Sequence, residues 1–221
     1  MKKSLSRYVL TDEIYTLLKE RILNHEIASG GKINIDQLAR DLEVSNIPIR
    51  EALTRLTAEG LVNTVPFKGM YVAEMSLQEL DEMFEIRMEL EGLAIKKAAP
   101  QIPGVSIAEL ERAMQSWSSR KPAECEEKIR FIAEMNESLH GLILDHCDNH
   151  SLNQLIHLYI EKIQRYLTFI HKGIDQQVIE EEWNEHMLVV KELAVGNFEA
   201  AEEALLQHLK HSHIRTRSFF L

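Results

Sequence analysis

The sequence predicts a mainly α protein: an N-terminal winged helix-turn-helix followed by an all-helical antiparallel bundle of about six helices. Three observations lead there. Apolar residues recur at three- and four-residue spacing over most of the chain, extended character is confined to residues 61–73, and the charge is unevenly divided. Residues 1–75 carry ten Lys or Arg and ten Asp or Glu, whereas residues 76–221 carry fifteen and twenty-five, together with nine of the ten histidines. The net charge of −10 therefore belongs to the second part, which cannot follow a phosphate backbone, while the neutral first part can present a local basic face to DNA. A chain of 221 residues accommodates two domains, and the boundary is expected at 75/76.

In the first domain, Val9, Leu10, Ile14, Leu17, Leu18 and Ile22 mark an amphipathic helix that ends near Asn24. Gly30 and Gly31 break the chain. A short helix from Ile35 through Leu38 and Ala39 to Asp41 is followed by a tight connection (Leu42, Glu43, Val44), and Ser45 is placed to cap a second helix. Pro48 fits the first turn of that helix, whose amides lack intrahelical partners, and Ala52, Leu53 and Leu56 form its buried stripe up to Gly60. Two short helices so closely joined form a helix-turn-helix. Residues Leu61–Val65 and Met70–Ala73 then read as strands around a turn at Pro66, Phe67, Lys68 and Gly69, which makes a hairpin wing. A helix N-terminus in the major groove offers its first side chains to base edges and its amides to phosphates. Ser45, Asn46, Ile47 and Arg50 occupy those positions, with Lys68 and Gly69 on the wing. A small helical packing module with polar surface residues is the alternative reading of the same spacing.

The run Val44 to Leu53 (VSNIPIREAL), with Arg55 and Leu56, Glu59 to Val62 and the wing glycine Gly69, resembles the GntR family of bacterial transcription regulators. The resemblance implies that Arg50 is the recognition-helix arginine, Ser45 stands at the helix start, and Lys68 to Met70 form the wing. Two positions depart from the family: arginine is common where this chain has Asn46, and near Asp36. Base preference therefore does not transfer from relatives.

The second domain opens with a capping box, Ser76 and Glu79, ahead of a helix carrying Leu77, Leu80, Phe84, Leu90, Leu93 and Ala94 that Pro100 terminates. Ser106 with Glu109 suggests a second box. Pro122, Asp148 with Asn149, Gly173 and Gly196 separate four further helices, so six result. Stripes such as Phe131, Met135, Leu139 and Leu142, or Leu152, Leu155, Ile156, Tyr159 and Ile163, favour an antiparallel bundle.

Three histidines fall on these apolar stripes. His140 follows Asn136 by four residues, His186 follows Ile179 and Trp183, and His208 follows Ala201, Ala204 and Leu205. Imidazoles from three helices can converge on a divalent metal, with the Asn136 side-chain oxygen as a weaker fourth ligand; the alternative is three separate hydrogen-bonded core histidines. Arg87 with Leu90 and Glu91, Asn136 with His140, the run Gly196 to Ala201, and His208 with Leu209 resemble the FCD effector domain of the FadR subgroup. In many relatives an aspartate and three histidines bind the ion, and those positions match Asn136, His140, His186 and His208. Replacing the aspartate by Asn136 removes the anionic ligand, so weaker binding is expected, with water or a carboxylate effector completing the shell. The metal's identity, zinc, nickel, manganese or iron, stays open. Arg87 and, more weakly, Arg165 are candidates for effector binding; pairing of Arg87 with Glu91 one turn on is the structural alternative. His146, His150 and His157 read as exposed, and His211 and His213 with Arg215 and Arg217 as a basic helix C-terminus.

The expected function is a homodimeric transcription regulator of the repressor type. Two heads read a palindromic double-stranded DNA operator, and the bundle dimerises and senses a small carboxylate. A metal-free regulator sensing an apolar or acyl ligand is one alternative. A zinc-dependent hydrolase using Glu137 or Glu185 as base is another, and leaves the winged head unexplained. Cys125 and Cys147 are too few and too distant for a disulfide framework, and reduced thiols are expected. Neither a membrane span nor a signal peptide is apparent, so a cytoplasmic location is expected.

Overall fold

The computed structural model of the chain describes residues 2–169 and 174–219. Gly173, expected as a helix break, lies outside the described residues, as do the side chains of Val9, Cys125 and Arg165. The chain divides into two compact units. The first holds the residues up to Ser76 together with Gln164–Phe169, and the second holds Leu77–Ile163 and the described residues after 173.

In the first unit α1 spans Lys2–Leu23, β1 Lys32–Ile33, α2 Ile35–Asp41, α3 Asn46–Ala58, β2 Val62–Val65 and β3 Gly69–Val72. The four-residue spacing of Ile14, Leu18 and Ile22 places all three inside, in one core with Ile49, Leu53 and Leu56 of α3. Each such side chain, once buried, contributes roughly 1.5–3 kcal/mol, and this packing holds α3 on its support. Arg55 of α3 pairs with Asp12 of α1 at 2.5 Å and lies 3.9 Å over the Tyr15 ring, while the Tyr15 hydroxyl donates to Glu59 at 2.6 Å. Arg55 therefore joins two helices. Helix α3 ends in a Schellman motif: Gly60, at φ +74°, donates to the Thr57 carbonyl, and Leu61 donates to that of Leu56.

The three strands are ordered β1-β3-β2, all antiparallel, with Val62 opposite Val72 and Val65 opposite Gly69 across the wing. Strand β1 is absent from the sequence-based reading. Two residues are too short to show a period, and only pairing with Tyr71 and Met70 makes them a strand.

Beyond Ser76 the described residues form the six expected helices, α4 Leu77–Ala98, α5 Gly104–Trp117, α6 Cys125–His146, α7 His150–Phe169, α8 Gln176–Ala194 and α9 Phe198–Ser218, all within the second unit except the Gln164–Phe169 end of α7. Helix α5 begins earlier than expected. Pro103 is its N-cap residue and Ser106 lies inside the first turn, so Ser106 and Glu109 do not form a capping box. Proline's fixed φ and the missing donor suit a helix start better than the box does. On α7, Leu152, Ile156 and Ile163 are buried, whereas Leu155 is 46% exposed and belongs to the edge of the stripe. Asp175 caps α8 through Val178 N, and a second Schellman motif at Gly196 (φ +75°) turns α8 into α9, which Asn197 caps. Helices α4, α6, α8 and α9 pack on one another around a core that includes Met135, Leu139, Val190 and Leu205. No helix among the described residues is long and apolar enough to cross a membrane.

Candidate nucleic-acid interface and metal centre

Packing of α1 beneath α3 leaves the N-terminus of α3 facing outward. Ser45 occupies the N-cap position, but its hydroxyl makes no capping bond, so the sequence-expected side-chain cap is absent and the first-turn amides lack it. Ile47 is 54% exposed despite its apolarity, and Arg50 is exposed two residues past the buried Pro48. The Asn46 amide donates to Asp36 of α2 at 2.8 Å. Asn46 at the start of α3 is thus tied to α2 through a hydrogen-bonded carboxylate. Arg50, Lys32, Asn34, Asp36, Gly69 and Met70 line one groove of about 500 Å³ between α3 and the first residues of β3. Lys68 and Gly69 are both exposed on the wing.

In the helical unit His140 of α6, His186 of α8 and His208 of α9 are all buried, and one ring nitrogen of each lies within 4.8 Å of the others. Their second nitrogens are engaged. His140 Nδ1 meets Glu91 Oε2 at 2.5 Å, His186 Nδ1 donates to the Glu182 carbonyl at 2.6 Å, and His208 Nδ1 meets Glu185 Oε2 at 2.9 Å. An acceptor on every Nδ1 fixes the tautomer in which Nε2 carries a lone pair, the arrangement that metal-binding histidines require. His140 Nε2 is buried without a hydrogen-bond partner. Asn136 Oδ1 lies 3.1 Å from His186 Nε2. This donor set fits a divalent cation: three converging imidazoles, one of them with a bare nitrogen, and an amide oxygen facing a second ring nitrogen.

Electrostatics disfavours the charged forms of His186 and His140. Burial depresses the basicity of His186 well below the ordinary value, aided by His208 and His140. Burial likewise lowers His140, against the opposing pull of Glu91. Burial alone would raise the Glu91 carboxyl, but Arg87, bonded to its other oxygen, and His140 outweigh that and keep it ionised. Glu185 is held ionised in the same way by Arg215 and His208. Arg215 clamps Glu182 at 2.5 Å and Glu185 at 2.7 Å.

Residues 82–211 match the FCD domain, and residues 10–72 match the bacterial regulatory proteins of the gntR family. The chain belongs to the GntR family. It is 27% identical over 199 residues to an uncharacterised HTH-type transcriptional regulator, YdhC of Bacillus subtilis, covering 90% of this chain and 87% of the relative. It is 25% identical over 207 residues to the HTH-type transcriptional repressor RspR of Escherichia coli, covering 91% and 86%. Among solved structures, Escherichia coli McbR/YncC superposes with a TM-score of 0.70 at 20% identity over 96% of this chain and 99% of that one, a likeness of fold. The matched families and relatives are transcriptional regulators, not enzymes.

Several residues of this GntR chain take places that the sequence did not indicate. Arg215 and Arg217 lie in the last turn of α9, as expected, but the histidines ahead of them meet specific partners: His211 bonds Glu185, and His213 stacks on Phe84 and bonds Asp81. Arg217 also pairs with Asp81. His146 is half-buried and donates to the Leu142 carbonyl, while His150 and His157 are exposed. Arg87 is 7% exposed and pairs with Glu91. Glu91, Glu182, Glu185 and Arg215, the partners that orient the histidines, were missed. Glu182 carried a usable signal: in the acidic run Glu180–Glu182 only it shares the stripe of Ile179 and His186, three residues after one and four before the other.

Proposed function

We propose that the chain is a dimeric, metal-assisted repressor that releases a palindromic operator when a small organic acid binds its helical domain. In this reading residues 1–75 bind DNA through Ser45, Asn46, Ile47, Arg50, Lys68 and Gly69, and residues 76–221 dimerise and sense. The exposed start of α3 beside the wing groove supports DNA binding. The repressor assignment draws on a relative described as a repressor.

The single observation that carries the sensing half is the convergence of three buried histidines whose Nδ1 atoms are all engaged. His140, His186, His208 and Asn136 would hold the ion. A divalent cation there supplies a charge that a carboxylate can neutralise. The surrounding charges set the stoichiometry: Glu91, Glu182 and Glu185 against Arg87 and Arg215 leave one negative charge, so a dication with neutral ligands leaves room for one more carboxylate. Arg87 contributes positive charge beside Glu91, and Arg165 is the second arginine assigned to the effector. Binding must favour the released geometry over the DNA-bound one to act as a switch.

A metal-free regulator is favoured by one detail. His186 Nδ1 donates to a carbonyl, so Nε2 can only accept; turned over, the Asn136 amide donates to it and satisfies His186 without an ion, leaving His140 Nε2 without a partner. Elemental analysis before and after chelation separates the two, with about one metal per chain expected before. DNA selected in vitro by the full chain, then tested by band shift at two salt concentrations, examines the head. Arg50→Ala is expected to lower affinity at least tenfold, and unchanged binding would refute this use of α3.

A further inference from the structure

The wing tip carries a residue that the stability of the fold does not explain. Residues Val65, Pro66, Phe67 and Lys68 form a turn closed by Lys68 N donating to the Val65 carbonyl at 3.1 Å. Proline in its second position and φ +61° in its third give the pattern of a type II turn. That third position favours glycine or asparagine, because a side chain in the left-handed region meets its own backbone. Here it holds phenylalanine. The ring is also fully exposed, with a relative accessibility of 109%. One exposed apolar side chain is ordinary, but a bulky one held in a backbone conformation that resists it is not.

We propose that Phe67 is an apolar wedge that enters the minor groove of bound DNA and opens a base step there. This deepens the DNA-binding reading above and rests on it. The surroundings select DNA over other apolar partners. Residues 62–73 contain Lys68 and no carboxylate, and Lys68 follows the ring directly. Beside the turn of the same hairpin Lys32 lies against Gly69, with its Cε 3.6 Å from where a Cβ would stand, and shares the groove with Arg50. Lys68 thus adjoins the ring in sequence, and Gly69, two residues after Phe67, lines the groove that holds Lys32 and Arg50. Phenylalanine is among the side chains that insert between base pairs, unstack a step and kink the duplex. Pro66 fixes the turn, and the Tyr71 hydroxyl reaches the Lys68 carbonyl at 3.5 Å, so the tip is braced rather than free to fold the ring back.

The test uses the full chain and a duplex enriched by in vitro selection on it, with fluorescent ends to report bending and 2-aminopurine at successive steps to report unstacking. Phe67→Gly removes the wedge and relieves the turn, so two effects of opposite sign are expected. Melting temperature rises by about 2–4 °C, whereas DNA affinity falls about tenfold or more, with loss of bend and of the 2-aminopurine signal. The dependence of affinity on salt keeps its slope, because phenylalanine displaces no counterions, while Lys68→Ala lowers that slope by about one. Phe67→Leu retains the bend. If Arg50→Ala abolishes binding but Phe67→Gly changes neither affinity nor bend, the wedge is wrong and the head still reads DNA. If neither substitution matters, both readings fall. A change in sedimentation of Phe67→Gly with DNA binding intact would assign the ring to a second copy of the chain and overturn the wedge.

Discussion

Asn136 shows how one atom sets the character of the buried centre. With its oxygen toward His186 it adds a neutral ligand; with its nitrogen toward His186 it donates to a lone pair. An aspartate can do only the first. Asn136→Asp is therefore expected to tighten metal binding by about 10- to 100-fold in a competition titration with a chromophoric chelator, while lowering the melting temperature of the metal-free protein. Equal affinities would mean that Asn136 is not a ligand. Glu185 acts at one remove, through His208 Nδ1. Glu185→Gln retains shape but loses the charge that holds His208 and Arg215, and isothermal titration is expected to show about tenfold weaker metal binding with unchanged DNA affinity.

At the scale of elements, two glycines separate backbone cost from steric cost. Gly196, at φ +75°, has open space where a Cβ would stand, so Gly196→Ala is expected to cost only the left-handed conformation, about 1 kcal/mol by thermal or urea unfolding. At Gly31 the Cβ would meet the Ala28 carbonyl oxygen at 2.7 Å, and the turn leading into β1 has to move. Gly31→Ala is expected to destabilise more than Gly196→Ala, and a reversed order would show that the turn yields. Helices α2 and α3, the hairpin and the six later helices were legible because each has a local signature: a stripe, a cap, or a break at Gly60, Pro100 or Gly196. Strand β1 and the start of α5 were not. The first is defined by its partner, and at the second Ser106 and Glu109 imitate a box that Pro103 pre-empts. The histidines could be chosen by burial spacing, but the orientation of His140 and His208 depends on Glu91 and Glu185, which reach them from other helices and so from positions that a period along one helix does not relate to them.

For the whole molecule, buried ionisable groups set the response to acid. His186 and His140 are neutral when folded and protonate near 6.5 once exposed, so the unfolded chain binds more protons below that pH. Glu91 and Glu185 act in the same direction at lower pH, because they remain ionised in the fold below their ordinary value of 4.5. Stability of the metal-free protein is therefore complete above about pH 7, declines as pH falls through 6.5, and declines further below 4.5. Melting temperatures recorded from pH 8 to pH 4 after chelation are expected to fall in that order, and a flat profile would mean that the imidazoles are already charged in the fold. The charge division along the chain has a structural counterpart: the basic groove lies in the first unit and the acidic, histidine-bearing network in the second.

Two of the three converging histidines, with Glu182, Glu185 and Arg215, belong to the single hairpin of α8 and α9, which follows every other element in the chain. Translation therefore completes the α3 head and its wing well before it supplies the residues that close the buried centre. A nascent polypeptide exposes its winged head before the buried histidine cluster can close.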